Sequence, residues 1–258
     1  MRGRIADLLW ALGTFAVLLG LWEFACDVLH VPVFYIPAPS RIAATLVAGA
    51  PLYLSHLGVT LYATFASFFI ALALGVAFGT LVSEMRFFER TLLPVMIALQ
   101  AMPRIALAPI IIVWFGFGPE SKIALGAFTA FFPVFVNTAQ GMHATDSEQI
   151  ALMRSLKASR WQIFRMVKLP NAMPYLLAGA SIAVIFAMLA VIVGEFLGAN
   201  RGIGFLITTQ SSQMDTAGVM AAVFILSAIG VAFHYGLQYL RDRLLFWAAQ
   251  GEMAGPSV

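Results

Sequence analysis

Apolar residues run along this chain in long blocks rather than in short alternations. Six blocks hold the roughly 20 mostly apolar residues that a helix needs to cross a bilayer: residues 5–26, 57–83, 92–117, 122–142, 174–198 and 217–240. No stretch alternates with the period of a half-buried strand, and no low-complexity tract interrupts the series. The pattern predicts an all-α polytopic membrane protein with six transmembrane helices. Arg2 and Arg4 precede the first block as they would in a signal peptide, but no small-x-small cleavage site follows Trp22-Glu23-Phe24. A retained helix is expected there. The longest connecting segments, residues 27–56 and 143–173, are about 30 residues each, below the roughly 50 of an independent domain. Residues 1–258 are therefore read as one membrane domain whose soluble machinery comes from other chains.

Composition sharpens this. Hydrophobic residues make up 61% of the 258 and charged residues 10%, against about 25% charged in an ordinary soluble domain. A water-soluble enzyme is excluded. The net charge of +3 is read as loop Lys/Arg rather than as a nucleic-acid patch. With the N-terminus in the cytoplasm, the inside segments carry most of the 15 Lys and Arg. The outside segments carry Arg41, Lys122 and Arg201, and Arg104 lies within a block. This bias places both termini in the cytoplasm. A single cysteine, Cys26, excludes an internal disulfide and reads as a packing residue. His30, His56, His143 and His234 are scattered, so no metal site is expected.

Chemistry concentrates in two places. The first is the loop between the fourth and fifth blocks. Read as one helix, it places Arg154, Lys157, Arg165 and Lys168 on one face and Leu152, Leu156, Ile163 and Val167 on the other. Pro170 and Pro174 end it, and Ala158-Ser159 is where it would divide. Two readings fit such a helix: it lies on anionic lipid, or it docks a cytoplasmic partner. The second place is the membrane interior, where a charge costs several kcal/mol and usually faces the bundle. Arg104 follows Pro103 in a block that also holds Pro94 and Pro109, so a kinked or broken helix is expected. Its guanidinium either meets an anionic solute near the midplane or bonds carbonyls freed by Pro103. Met102 beside it would narrow a pore. Glu195 lies about 13 Å outward from the centre of the fifth block and reads as part of an outer mouth or gate. Gln100 and Asn137 line a polar pathway or bond between helices. Gly75, Gly79, Gly179 and Gly194 are read as points of close helix approach.

The segment Asp146 through Phe164, continuing to Lys168-Leu169-Pro170, resembles the EAA loop of bacterial ABC importer permeases, and more narrowly of the nitrate/sulfonate/taurine group. The family pattern is Glu-Ala-Ala, three residues, Gly, nine residues, Ile or Val, one residue, Leu-Pro. Anchored on Leu169-Pro170, it sets Val167 at the Ile/Val position, Lys157 at the glycine and Ala151 at the glutamate. Glu148, one helical turn earlier, is the candidate to stand in for the missing acid. Lys157 leads to the expectation of a turn unlike a glycine's. Ala108-Pro109 to Trp114-Phe115-Gly116-Phe117-Gly118 with Ser121-Lys122, and Gly194-Glu195-Phe196-Leu197-Gly198-Ala199 with Gly202-Ile203-Gly204, are similar to the same group in the same order.

The resemblance covers most of the chain. It implies a type I permease core in the bacterial inner membrane and a permease homodimer. It also implies an ABC ATP-binding subunit and a periplasmic or lipid-anchored substrate-binding protein as partners. The solute would be a nitrate-, sulfonate- or taurine-like oxyanion or a pyrimidine-type vitamin precursor, moved by alternating access. No phosphate-loop motif is present, so ATP and Mg are expected on the partner, with no cofactor and no catalytic residue on this chain. Residues 143–173 become the cytoplasmic coupling loop, with Glu148, Ala151, Arg154, Lys157, Arg160, Trp161, Ile163, Phe164 and Pro170 as coupling residues. Arg104, Glu195, Met102, Gln100 and Asn137 are the pathway candidates. Two other classes are weighed against this reading. An intramembrane serine protease would use Ser181 and His234, but no glycine follows the serine to build an oxyanion site. An ion-coupled secondary transporter or channel would suit six spans, but neither an inverted repeat nor a filter-like loop is seen.

Overall fold

The structure, a computed structural model, describes residues 2–245, and every regular element among them is helical. The helices are α1 (Arg2–Val28), α2 (Pro39–Ala48), α3 (Ala50–Glu84), α4 (Arg86–Ala101), α5 (Ala108–Phe115), α6 (Pro119–His143), α7 (Ser147–Ser155), α8 (Arg160–Ile163), α9 (Leu169–Gly198), α10 (Ile203–Ser212) and α11 (Thr216–Leu244). Among the described residues, α3, α6, the continuous run Arg160–Gly198 and α11 are long and apolar enough to cross a membrane. The pair Arg86–Ala101 and Arg104–Phe115 is a fifth crossing if counted together. The first expected block falls inside α1. The termini assigned to the cytoplasm include Met1 and residues 246–258, which lie outside the described residues.

The third block is not one continuous helix. Its two halves meet at 88°. Met102 is extended (φ −70°, ψ 141°), as a residue before proline prefers. Pro103 then has no N–H with which to continue α4. A 3₁₀ turn, Arg104–Leu107, bridges to α5, whose second residue is Pro109.

The chain forms two compact units, one from residues up to 59 with 201–228, the other from 60–200 with residues from 229 onward. The first is centred on Ile42, Tyr53, Ile203, Leu206, Ala221 and Ala222. Within it the Tyr53 hydroxyl donates to the Gly218 carbonyl (3.2 Å) and accepts from Gln210 Nε2 (3.0 Å). Glu23 accepts from both the N–H and the hydroxyl of Ser40, holding the start of α2.

The second unit contains the loop and the pathway candidates. Its core joins Phe68 and Ala71 of α3, Ala130 and Val134 of α6, and Ala180, Ala183, Val184 and Ala187 of α9. Small residues dominate because lipid is as apolar as leucine, so packing contact rather than expulsion from water holds these helices. A Cβ added at Gly75 would lie 2.6 Å from Val134 Cβ, and one at Gly79 2.8 Å from Thr138 Cβ. A Cβ at Gly179 would lie 2.8 Å from Asn137 Cβ. These glycines are where α3 and α9 press onto α6.

Candidate coupling surface and solute cleft

The loop between α6 and α9 is built from strong local signals. Asp146 caps α7 by accepting the Glu148 N–H at 2.8 Å, which places the Glu148 carboxylate in the first turn, where the helix dipole favours it. α7 ends after Ser155. The Lys157 N–H donates to the Arg154 carbonyl (2.9 Å) and the Ala158 N–H to Met153 (3.0 Å), the paired bonds of a Schellman stop. Lys157 sits at φ +56°. The expectation of a turn unlike a glycine's is therefore corrected: Lys157 adopts the left-handed backbone that glycine favours, because the two terminal bonds require it. The expectation of one continuous amphipathic face is corrected as well, since this turn separates Arg154 from Arg165 and Lys168. Ser159 and Gln162 then form a reciprocal capping box that starts α8. A π-helical turn, Phe164–Lys168, carries the chain into α9, with Pro170 in its first turn.

The resulting surface is apolar and basic together. Trp161 is 65% exposed and stacks on Phe164 (centroids 5.5 Å apart). Leu152, Leu156 and Met166 are also exposed large apolar residues. Ala151, Arg154, Lys157, Arg160 and Arg165 are exposed among them. Ile163 is buried, so it anchors α8 to its own fold and leaves outward contact to Trp161. Two polar links tie the loop down. Asn171 Nδ2 donates to Gln149 Oε1 at 3.1 Å, and Lys168 Nζ meets Glu84 Oε1 at 2.5 Å.

A cleft of about 370 Å³ lies where α4 breaks. Gln100, Met102, Pro103, Arg104 and Ile105 form one wall, Phe186, Leu189 and Ala190 of α9 the other, and Thr129 of α6 closes it. The structure brings three pathway candidates together here: Gln100, Met102 and Arg104. The Arg104 guanidinium donates to the carbonyls of Thr129 (3.4 Å) and Gln100 (3.5 Å) and lies 4.8 Å from the Phe132 ring centroid. Both carbonyls lack helical partners. Thr129 is four residues before Pro133, which has no N–H, and Gln100 is in the last turn of α4. The Pro133–Thr129 relation is visible in the sequence, but its link to Arg104 is not. Two of five guanidinium donors are used in this way, and no carboxylate pairs with Arg104 among the described residues.

Asn137 and Glu195 are placed elsewhere. Asn137 Nδ2 donates to Pro133 O at 2.8 Å, at the contact with Gly179. Glu195 is 3% exposed and accepts from the Thr60 hydroxyl at 2.9 and 3.1 Å. Nearby, Lys122 is equally buried and donates to the carbonyls of Phe117 (2.6 Å) and Gly198 (2.5 Å). Lys122, read from the sequence as an outer-loop charge, is thus an interior cation closing the ends of α5 and α9, where the helix dipole favours it. Gly194 leaves room for its stem, with a Cβ there 3.2 Å from Lys122 Cγ. The motifs at 121–122 and 194–198, separate in sequence, meet in this cluster. Ser181 donates to Leu177 O inside its own helix.

A helical membrane bundle with a one-cation cleft at a helix break, and an exposed handle on a loop below it, is organised to pass a solute under outside control. The family model for the inner membrane component of binding-protein-dependent transport systems matches residues 70–246, and the chain belongs to that family. It is the non-catalytic permease subunit of an ABC importer, a multi-pass inner-membrane protein whose ATPase is a separate chain. Its partners are an ATP-binding subunit and a substrate-binding protein. A formylaminopyrimidine transport permease of Halalkalibacterium halodurans is 35% identical over 238 residues, 90% of this chain and 93% of that one. A putative aliphatic sulfonates permease of Bacillus subtilis is 30% identical, covering 90% and 85%. The taurine permease of Escherichia coli is 28% identical, covering 92% and 89%. Among solved structures, the inward-facing MetNI methionine ABC transporter has a TM-score of 0.65 at 22% identity, over 76% of this chain and 96% of that one. An amino acid ABC transporter gives 0.66 at 18%, over 78% and 97%. The protease and secondary-carrier alternatives are set aside by this membership.

Proposed function

We propose that this permease imports a small, acceptor-rich solute through the Arg104 cleft, as one half of a homodimer. Its α7–α8 surface docks in the ATP-binding subunit on the cytoplasmic side, where both termini also lie. The observation that carries the solute assignment is a guanidinium with no carboxylate partner among the described residues, set in a largely apolar cleft. Met102, Ile105, Phe186 and Leu189 suit a flat organic body, and Arg104 and Gln100 supply donors to carbonyl or ring acceptors on it. A pyrimidine-type vitamin precursor fits both demands, and the 35% identical relative is named for such a solute. A sulfonate is the second reading, favoured by the absence of a carboxylate beside Arg104 among the described residues. Trp161 and Phe164 supply the aromatic anchor of the docking face, and Arg154 and Arg160 its charge-assisted bonds. Glu148 takes the place of the family's loop acid.

The test is uptake by the importer reconstituted with its ATP-binding subunit and binding protein, against a panel of pyrimidines, sulfonates, taurine and nitrate. Arg104→Gln is expected to lower uptake about tenfold or more, the scale of a lost charged hydrogen bond, with complex assembly intact. Unchanged uptake by Arg104→Gln would remove Arg104 from the pathway. A preference for sulfonates over pyrimidines would select the second reading.

A further inference from the structure

We propose that Glu84 and Lys168 form a clasp that sets the spacing of the two cleft walls and passes loop motion to them. Lys168 Nζ and Glu84 Oε1 are 2.5 Å apart, with side chains 19% and 34% exposed. The two residues are 84 positions apart in the chain. Each stands at the root of one wall. Glu84 ends α3, and α4 follows from Arg86 to the break that carries Gln100, Met102 and Arg104. Lys168 ends the π-helical turn, and α9 follows from Leu169 to Phe186, Leu189 and Ala190. α4 has 16 residues, a lever of about 24 Å at 1.5 Å per residue. A small change at its root is therefore carried to the cleft.

The local architecture supports this role. The handle is stiff within itself, through the Schellman stop at Lys157 and the capping box at Ser159. It continues helically into α9, so a push on Trp161 reaches the α9 wall directly. The α4 wall has no such covalent route from the handle, since α6 and the loop intervene. The Glu84–Lys168 pair supplies a short one. The π-helical turn that presents Lys168 is a wide, irregular turn of a kind frequent at functional sites. Glu84 and Lys168 are positioning residues here: neither lines the cleft.

The proposal rests on the reading of α7–α8 as the docking face, and the experiment separates the two. The full importer complex is reconstituted in proteoliposomes with Glu84→Gln, with Lys168→Gln, and with the exchange Glu84→Lys/Lys168→Glu. Complex recovery, ATP hydrolysis and solute uptake are measured on each. The single variants are expected to assemble and hydrolyse ATP but to raise ATP consumed per solute roughly fivefold or more, the lower range of allosteric coupling. The exchange is expected to restore most of the ratio. A pair that only stabilised the fold would change recovery and leave the ratio of the recovered complex alone. A wild-type ratio in both single variants overturns the clasp. If the single variants do not assemble, Glu84→Asp decides, because it keeps the charge and shortens the reach by one methylene: a raised ratio in intact complex supports the clasp, and a wild-type ratio overturns it. In a Cys26→Ala background with the Glu84–Lys168 pair intact, Ser155→Cys, exposed at the end of α7, is cross-linked to the ATP-binding subunit. Cross-linking with no effect of Glu84→Gln sinks the clasp alone, whereas no cross-linking sinks the docking reading beneath it.

Discussion

Lys157 carries a backbone that costs an L-residue roughly 1–2 kcal/mol, and it does so to let Lys157 and Ala158 satisfy the last carbonyls of α7. Lys157→Gly is therefore expected to stabilise the protein by about 1 kcal/mol. For a chain of this size that raises the thermal midpoint by about 2–4 °C. Lys157→Val, which adds a branch at Cβ, is expected to lower it, with both read by unfolding of the detergent-purified protein. Lys122 makes the opposite case. Removing its ammonium with Lys122→Met strands the Phe117 and Gly198 carbonyls. Leaving buried acceptors unsatisfied costs about 1–3 kcal/mol each, so monodisperse folded protein is expected to fall sharply. Wild-type recovery would mean that the carbonyls find other donors. Neither role could be read from residue type. A lysine where the EAA pattern has glycine suggests a different turn until the bonds around it are known. A lysine at the start of a span looks like a loop charge until carbonyls at 117 and 198 are seen to converge on it.

At the level of helices, α3 lies against α6 because positions 75 and 79 have no side chain. Gly79→Leu would drive its Cβ toward Thr138 Cβ at 2.8 Å and the Phe135 carbonyl at 2.9 Å. Overpacking of this kind typically costs about 1–3 kcal/mol, so Gly79→Leu is expected to lower the thermal midpoint by several degrees. Gly58→Leu, with open space around it, serves as the control, and equal effects would refute the packing role. The spans at α3, α6, α9 and α11 and the glycine contacts were legible because both follow from length, apolarity and small residues at helical spacing. The α4–α5 break was legible from Pro103, although its 88° angle was not. The loop was half legible. Its basic and apolar content pointed to docking, and the division at Ala158-Ser159 was legible, whereas the Ser159–Gln162 capping box that starts α8 and the left-handed turn at Lys157 were not. Ion pairs such as Glu84–Lys168 stay invisible because only the packing of α3 beside the loop brings them together.

For the whole molecule, the division of labour follows from what the chain lacks. With no phosphate loop, the energy of ATP must enter as motion at a surface, and the surface has to face the compartment that holds the ATP-binding subunit. The exposed apolar and basic residues of α7–α8 are too basic for the bilayer interior, and the docking reading proposed above requires them on the cytoplasmic side. Sidedness is therefore the property on which the transport scheme depends most directly, and the single cysteine makes it simple to measure. In a Cys26→Ala background, Ser155→Cys in α7 and Glu120→Cys at the start of α6 both lie at exposed positions at opposite ends of α6. A membrane-impermeant maleimide is expected to label Ser155→Cys in inside-out vesicles and not in intact spheroplasts, and Glu120→Cys in the reverse order. Labelling of Ser155→Cys from the periplasmic side would put the handle out of reach of any nucleotide-driven partner. The Glu84–Lys168 clasp would then have nothing to transmit.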